Sequence, residues 1–156
     1  MTTPYEAAVK MPQAGDPAPQ FKLAAYPQGT VCLDDYMGKK NVILAFYPKD
    51  DTPGCTKEMC SFSADLAQFA SKDTVVLGIS CDSVESHQLF AQKHGLLQVL
   101  LTDSSGAVGQ AYGTVREGRV NANRVLFVID KKGIVRHVLE GMPSNTELLA
   151  FLDSLK

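Results

Sequence analysis

Short, continuous runs of apolar residues are the feature of this sequence that most constrains its fold. Runs of this length are typical of β-strands that are buried on both faces. They cover residues 41–47, 74–80, 98–102 and 124–130. A further segment, 134–139, follows the turn residues Lys131-Lys132-Gly133, so we predict that it forms a hairpin with the run before it. Together the runs predict a central sheet with mixed strand directions.

Helical patterns separate the apolar runs. Four apolar residues at spacings of three and four predict a helix of roughly four turns that starts near Cys55: Met59, Phe62, Leu66 and Phe69. Two pairs have capping-box spacing and open two further helices: Asp82 with Glu85, and Ser144 with Glu147. We expect the first of these helices to end before Gly95. Strands that alternate with helices favour an α/β sandwich with helices on both faces of one sheet.

The N-terminal part of the chain differs from the rest. It is rich in Pro, Gln and Ala, and we expect residues 1–14 to form an irregular lead-in. Residues 21–25 and 30–33 flank a turn-forming stretch and predict a small N-terminal hairpin. A chain of 156 residues is long enough for one domain, so we expect a single domain over 1–156.

Composition argues against several classes of partner. Asp and Glu number 17 against 15 Lys and Arg, and the basic residues are scattered, so we expect no nucleic-acid partner. The first twenty residues lack the apolar core of a secretory signal, and no later run approaches membrane-spanning length. We therefore expect a cytoplasmic protein without a membrane segment. In that compartment four cysteines suggest redox catalysis or metal binding more than structural disulfides.

Cys55 is the first candidate for chemistry. It follows an apolar strand and a loop, at the predicted start of a helix, where unpaired N–H groups and the helix dipole favour an anion. Sites of this kind lower the pKa of a cysteine from about 8.5 into a range of roughly 3.5 to 7.5. Thr52 could cap the helix or donate toward a bound oxygen, and Pro48 and Pro53 stiffen the loop. Without Cys55 beside them, the threonine would be read as an N-cap and the prolines as turn residues.

Cys60 lies five residues after Cys55. On an intact helix this separation puts the two Cα atoms about 8.7 Å apart, beyond the roughly 7 Å limit for a disulfide. A disulfide would therefore require the first turns of the helix to unwind. A low-pKa thiolate that meets a peroxide becomes a sulfenic acid, and a nearby thiol condenses with it to a disulfide. For an isolated cysteine, a small buried apolar role would be the alternative.

An arginine is expected near such a thiolate, because it stabilises negative charge and stays protonated. Arg124 opens a predicted strand and lies at a strand end. Arg116 and Arg119 compete with it in sequence, and an ordinary solvated arginine is the alternative.

The segment FYPKDDTPGCTKEMC, residues 46–60, resembles the active-site segment of peroxiredoxins, and its second cysteine is similar to the peroxiredoxin Q or bacterioferritin comigratory protein subgroup. GISCDSVESH at 78–87 and RVLFVIDKKG at 124–133 also resemble family segments. The resemblance implies a thioredoxin-like fold with an N-terminal extension. It implies reduction of hydrogen peroxide and organic hydroperoxides, regeneration by thioredoxin or a similar dithiol protein, and no metal or organic cofactor. We expect a monomer.

The resemblance also implies roles for individual residues. Cys55 would be the peroxidatic thiol and Cys60 the resolving thiol. Thr52 and Arg124 would be polar stabilisers, and Pro48 would shield the thiolate from solvent. Glu58 matches a family glutamate that could orient an arginine, with a solvated helix carboxylate as the equal alternative; Cys32 has no assigned role.

Two other functions compete with this hypothesis. A thioredoxin-like electron carrier would share the fold but would favour a Cys-x-x-Cys spacing. A zinc-binding protein would use three cysteines and one histidine, although structural zinc sites present closer ligand pairs. These ligands would be Cys55, Cys60 and Cys81 with one of His87, His94 or His137. We expect His87 and His94 to lie on a solvated helix face, and Cys81 to be an inert, partly buried thiol with a backup resolving role as the alternative.

Overall fold

The predicted sheet is present in the computed structural model, which describes residues 11–116 and 121–155. Within these residues it has seven strands in the spatial order β2-β1-β5-β4-β3-β6-β7. The strands are β1 (Lys22–Tyr26), β2 (Thr30–Cys32), β3 (Asn41–Phe46), β4 (Thr74–Ser80), β5 (Val99–Thr102), β6 (Val125–Ile129) and β7 (Val135–Glu140). The four apolar runs and the predicted hairpin partner are all strands, and each boundary lies within one residue of its prediction.

Five α-helices and one short 3₁₀ turn accompany the strands in the described part of the chain, and the last helix follows the last strand. The helices are α1 (Pro53–Ala64), α2 (Leu66–Ala70), α3 (Val84–His94), α4 (Ala107–Ala111) and α5 (Asn145–Asp153). The 3₁₀ turn covers Leu33–Tyr36.

Strand directions make the sheet mixed, as predicted. Strands β3, β4 and β5 run parallel to one another, while β6 pairs antiparallel with β3 and β7 antiparallel with β6. The predicted N-terminal hairpin, β1 with β2, adds to the other side through antiparallel pairing of β1 with β5. The thioredoxin-like sandwich with an N-terminal hairpin extension is thus confirmed.

Alternate residues of β3 supply two separate cores. Leu44 and Phe46 belong to a cluster on one face, whereas Ile43 and Ala45 belong to the cluster on the other. Side chains on neighbouring positions of a strand point to opposite faces, so a strand apolar at every position must be covered on both sides. Helices α1, α2, α3 and α5 contribute to the second cluster, which also contains Cys55.

The predicted start of a helix near Cys55 is confirmed, but its continuation through Phe69 as a single helix was wrong, because the chain forms two helices that break at Asp65. This residue has φ −108° and ψ 13°, and its carboxylate accepts hydrogen bonds from Gln68 Nε2 (3.0 Å) and Asn145 Nδ2 (2.8 Å). These dihedral angles lie outside the α-helical range, so the helix is interrupted at this residue. The apolar stripe survives the break, since Met59 and Phe69 are both buried in one cluster.

The predicted helix ends are partly confirmed. Ser144 Oγ accepts from the N–H of Glu147 at 3.1 Å, and Gly95 ends α3 with φ 65°. The predicted cap at Asp82 was wrong: Ser83 caps α3, accepting from the Ser86 N–H at 3.1 Å.

The N-terminal lead-in is described only in part. Residues 11–14 form no strand or helix, and residues 1–10 of the predicted lead-in lie outside the described residues. Among the helices of the described ranges, none combines the length and the apolar character needed to cross a membrane.

Candidate active site

The start of helix α1 holds the first element of the site. Strand β3 ends at Phe46, a loop follows, and Pro53 is the first helical residue, where its missing N–H costs no helical hydrogen bond. Thr56 N–H donates to Thr52 O at 2.8 Å. The N–H groups of Gly54 and Cys55 come before this first helical bond, so Cys55 lies in the turn where a helix favours an anion. Cys55 is 1% exposed.

Strand pairing brings Arg124 to this cysteine. Phe46, the last residue of β3, pairs with Val125, so Arg124 lies at the sheet edge from which the loop to α1 departs. Its Nη2 donates to Cys55 Sγ at 3.3 Å. Partial burial acts to lower the pKa of Arg124, but the contacts with Cys55 and Glu58 outweigh it and the pKa is raised. The guanidinium is therefore a permanent cation beside the sulfur.

Glu58 completes a buried trio with these two residues. It follows Cys55 by three positions on α1, hence on the same helix face, and its Oε1 accepts from Arg124 Nη1 at 2.9 Å. The interpretation of Glu58 as a solvated helix carboxylate was wrong, because the residue is 2% exposed and its Oε2 has no hydrogen-bond partner among the described residues. Burial raises its pKa to about 7, against the lowering effect of Arg124.

Thr52 and Pro48 lie on the loop before the helix. Thr52 is at the N-cap position, but its hydroxyl donates to Lys49 O at 2.9 Å and makes no cap hydrogen bond, so the predicted capping interaction is absent. Pro48 lines a cleft of about 420 Å³ together with Arg124. The other described residues of that cleft are Arg116, Asn121, Ala122 and Asn123.

The remaining cysteines differ in their environments. Cys60 is half-buried on α1, and Cys55, Cys60, Cys32 and Cys81 are all free thiols. Burial, then Asp103 and Asp82, raises the pKa of Cys81 to about 11, so that thiol is protonated at neutral pH.

A buried polar network joins the loop before α1 to helix α3. Asp50, 8% exposed, contacts His87 Nδ1 at 2.7 Å and accepts from Tyr47 OH at 2.6 Å and Ser86 Oγ at 2.8 Å. His87 Nε2 lies 3.0 Å from Leu101 O. The expectation that His87 is solvated was wrong, because its side chain has no exposure.

Among the described residues, no other predicted candidate makes a hydrogen bond to Cys55 Sγ. Arg116 lines the cleft, whereas the guanidinium that bonds to the sulfur is that of Arg124, and Arg119 lies outside the described residues. His94 contacts the carboxylate of Asp51 at 2.8 Å. Within 11–116 and 121–155, no three His, Cys, Asp or Glu side chains are grouped closely enough to hold a metal ion.

A family model, described as the AhpC/TSA family, matches residues 14–138. The chain belongs to the AhpC/TSA family. Among its relatives, a putative peroxiredoxin Bcp of Coxiella burnetii is 45% identical over 132 residues, covering 81% of this chain and 87% of the relative. Peroxiredoxin Bcp of Bacillus subtilis is 39% identical over 127 residues, covering 78% and 80%.

Solved structures agree with this AhpC/TSA assignment. Peroxidoxin BcpB of Mycobacterium tuberculosis superposes with a TM-score of 0.86 at 31% identity, covering 93% of this chain and 99% of that one. A mutant of Xylella fastidiosa PrxQ gives a TM-score of 0.85 at 28% identity, covering 94% and 98%. The predicted relationship to peroxiredoxins of the Bcp and peroxiredoxin Q group is thus confirmed, and the chain is a thiol-dependent peroxidase.

The sequence left one feature of this AhpC/TSA site open and gave little sign of a second. The first is the pairing of Glu58 with Arg124: the sequence offered an arginine-orienting role and a solvated carboxylate as alternatives, and the helix face that Glu58 shares with Cys55 was an available signal. The second is the network around Asp50, whose only local signal was a polar residue four positions after the end of an apolar strand.

Proposed function

We propose that Cys55 reduces hydrogen peroxide and organic hydroperoxides in a cycle completed by Cys60 and a dithiol protein. The observation that carries this proposal is the 3.3 Å contact between Arg124 Nη2 and the buried Cys55 Sγ at a helix start. A cation and free N–H groups converge there on a sulfur that is kept out of bulk water.

The first step oxidises Cys55. Its thiolate takes one peroxide oxygen with the attached hydrogen as S–OH, the O–O bond breaks, and the leaving oxygen takes up a proton to become an alcohol or water. Arg124 stabilises the charge that moves from sulfur to the leaving oxygen. The Thr52 hydroxyl keeps lone pairs that can accept from the peroxide O–H, since its own hydrogen is directed to Lys49 O. Pro48, on the cleft wall beside Arg124, limits solvent access.

The second step closes a disulfide. The Cys60 thiol attacks the sulfenic sulfur of Cys55, releasing water and forming the S–S bond, and the dithiol reductant then restores both thiols. Cys55 and Cys60 both lie on helix α1, and on an intact helix they are too far apart for a disulfide. The first turns of α1 therefore unwind in this step. Cys81 is the weaker candidate for this role, because its raised pKa leaves little thiolate at neutral pH.

Rapid mixing with hydrogen peroxide tests the first step. Wild-type protein is expected to lose its Cys55 thiol far faster than free cysteine does, whereas an electron carrier would not. Cys55→Ser should abolish turnover, because a serine hydroxyl is far too weak an acid to replace a thiolate. Cys32→Ser is the matched control and should retain turnover; equal loss in both variants would contradict the assignment.

Peptide mapping after one equivalent of peroxide tests the second step. A Cys55–Cys60 link is expected, and Cys60→Ser should accumulate sulfenic acid and overoxidise faster. A Cys55–Cys81 link, or normal turnover of Cys60→Ser with thioredoxin, would contradict the role of Cys60.

We also propose thioredoxin or a similar dithiol protein as reductant, a cytoplasmic location and a monomeric state. The four free cysteines suit a reducing compartment. Turnover with thioredoxin and its reductase on several peroxides tests the reductant. Sedimentation of the reduced protein should give a mass near 16.9 kDa, and a concentration-independent dimer would contradict the monomer.

A further inference from the structure

The two halves of helix α1 are held by different contacts. Among the described residues, the side-chain hydrogen bonds from outside that reach Pro53–Glu58 come from Arg124, to Cys55 Sγ at 3.3 Å and to Glu58 Oε1 at 2.9 Å. The side-chain hydrogen bonds that reach the helix from Met59 onward come instead from the segment before β5 and from α5. Cys55 lies in the first half and Cys60 in the second.

Gln98 holds the second half from the segment before β5. It is 3% exposed, and its Nε2 donates to Met59 O at 3.0 Å. Its Oε1 accepts from Ser63 Oγ, which in turn accepts from Leu97 N–H at 3.0 Å. One buried amide therefore joins both ends of the turn that contains Cys60.

Asn145 holds the same half from α5. It is 9% exposed, and its Nδ2 lies 3.0 Å from Ser61 O, 3.0 Å from Ser61 Oγ and 2.8 Å from Asp65 Oδ2. Because these contacts begin one residue after Cys60, Gln98 and Asn145 bracket that residue.

Oxidation of Cys55 weakens the contact of Arg124 with the first half of α1 and leaves the contacts of the second half unchanged. A thiolate and the Arg124 guanidinium form an ion pair as well as a hydrogen bond, whereas in a neutral sulfenic acid only the donor is charged, so oxidation removes the attraction between opposite charges. The first turn is also intrinsically weak, because it contains Gly54 and lacks a side-chain cap. The contacts of Gln98 and Asn145 involve no atom that changes charge.

We propose that Gln98 and Asn145 form a clamp that stops the unwinding of α1 at Met59. Pro53–Glu58 unwinds and carries Cys55 to Cys60, while the turn bearing Cys60 stays helical. The two amides are positioning residues for the resolving step. This inference rests on the proposed Cys55–Cys60 disulfide.

Residue-resolved hydrogen exchange by NMR on the reduced and disulfide forms of the full chain tests the clamp. In the wild-type disulfide form, the N–H groups of Ser63, Ala64 and Asp65 should stay protected, since their acceptors lie at or beyond Met59. Fast exchange at these three amides in a protein shown by mapping to hold the Cys55–Cys60 link would overturn the clamp alone. Absence of that link would overturn both the clamp and the proposed resolving step.

Variants connect the protection to the two amides. Gln98→Ala should lower the protection of Ser63 and Ala64 in the disulfide form by roughly tenfold, as expected for two lost hydrogen bonds. Asn145→Ala tests the clamp from a different element and should lower the protection of Asp65. Gln88→Ala, at an exposed position of α3, is the matched control. Protection unchanged in both clamp variants would overturn the proposal.

The rate of disulfide formation gives an independent readout. If unwinding stops at the clamp, the clamp does not have to open, and Gln98→Ala should close the disulfide no faster than wild type after one equivalent of hydrogen peroxide. Faster closure in Gln98→Ala, with Gln88→Ala unchanged, would mean that the clamp must open during resolution and would overturn the proposal.

Discussion

The planar guanidinium of Arg124 donates two hydrogen bonds. Its Nη2 reaches Cys55 Sγ and its Nη1 reaches Glu58 Oε1, so the carboxylate fixes the orientation in which the guanidinium meets the sulfur. A lysine ammonium is a point charge on a flexible stem and cannot reproduce this fork.

Arg124→Lys should therefore slow the oxidation of Cys55 by peroxide. Loss of one preorganised donor to a developing charge costs on the order of 10²-fold in rate. The measurement is the second-order rate constant from rapid mixing. Arg136→Lys is the matched control, since Arg136 pairs with Asp130 on the surface. A rate within about twofold of wild type would show that the fork is not needed.

Glu58 makes stability depend on pH in a defined direction. Burial raises its pKa from 4.5 to about 7, so between these values the folded protein binds a proton that the unfolded chain has lost. The contribution of Glu58 to the unfolding free energy is greatest below about pH 4.5, decreases as the pH rises and levels off above about pH 7.

Glu58→Gln should remove this dependence. The unfolding free energy of the variant relative to wild type should rise by on the order of 2 kcal/mol between pH 4.5 and 7.5, from the linkage of a raised pKa to stability. Denaturant titrations across this pH range measure the difference. Glu85→Gln, at an exposed position, should show a flat difference. A flat difference for Glu58→Gln as well would contradict the raised pKa.

At the scale of elements, the first turn of α1 must be helical and must also leave space for Arg124. A Cβ added at Gly54 would lie 3.0 Å from Arg124 Nη2, closer than most real Cβ contacts. The glycine therefore weakens the helix but lets the guanidinium approach its N-terminal turn.

Gly54→Ala should separate stability from activity. Alanine favours the helix by about 0.5–1 kcal/mol, so thermal unfolding should not shift downward. The displaced guanidinium should slow Cys55 oxidation by roughly tenfold, as small misplacements of a catalytic group are costly. Thermal unfolding and rapid mixing on the same sample check both parts. An unchanged rate would show that Arg124 adjusts freely.

Helix α3 anchors the loop that precedes α1 at two consecutive residues. Asp50 contacts His87 inside the protein, and Asp51 contacts Lys93 and His94 outside, each at 2.7–2.8 Å. Asp51 also has φ 60°, a left-handed conformation that non-glycine residues seldom adopt. The loop carrying Pro48 and Thr52 thus has its shape set by an element more than thirty residues away.

Across the full fold, the sheet divides the apolar interior into two clusters. One cluster contains Cys55, and the cluster on the opposite face does not. Phe127 has no exposure and packs its ring against Tyr112 at 5.0 Å and Phe46 at 5.8 Å, on the face opposite Cys55. Burial of Phe127 therefore stabilises the sheet from the face that does not carry Cys55.

Phe127→Ala should cost about 3–5 kcal/mol in unfolding free energy, through lost burial and the cavity left behind. Denaturant unfolding measures this cost. Leu89→Ala is the control, since Leu89 is 71% exposed and exposed substitutions usually stay within about 0.5 kcal/mol. Equal, small effects of the two substitutions would contradict the assigned core.

Much of the fold follows from the sequence because it is encoded locally. The inner strands β3, β4, β5 and β6 are short apolar runs, and Pro48, Thr52 and Cys55 lie within one loop and one helical turn. Patterns of this length reflect side-chain periodicity and helix-end chemistry, which act over a few residues. The Cys55 site at a helix start could therefore be predicted without coordinates.

Other features depend on contacts that no short pattern encodes. Arg124 meets Glu58 only because β6 pairs with β3 in one register, and His87 is buried only because α3 packs beneath the loop. The break at Asp65 likewise involves Asn145 from α5. Residues 37 to 80 positions apart in sequence meet through strand order and helix packing, so the partner of each buried polar group was decided by the tertiary structure.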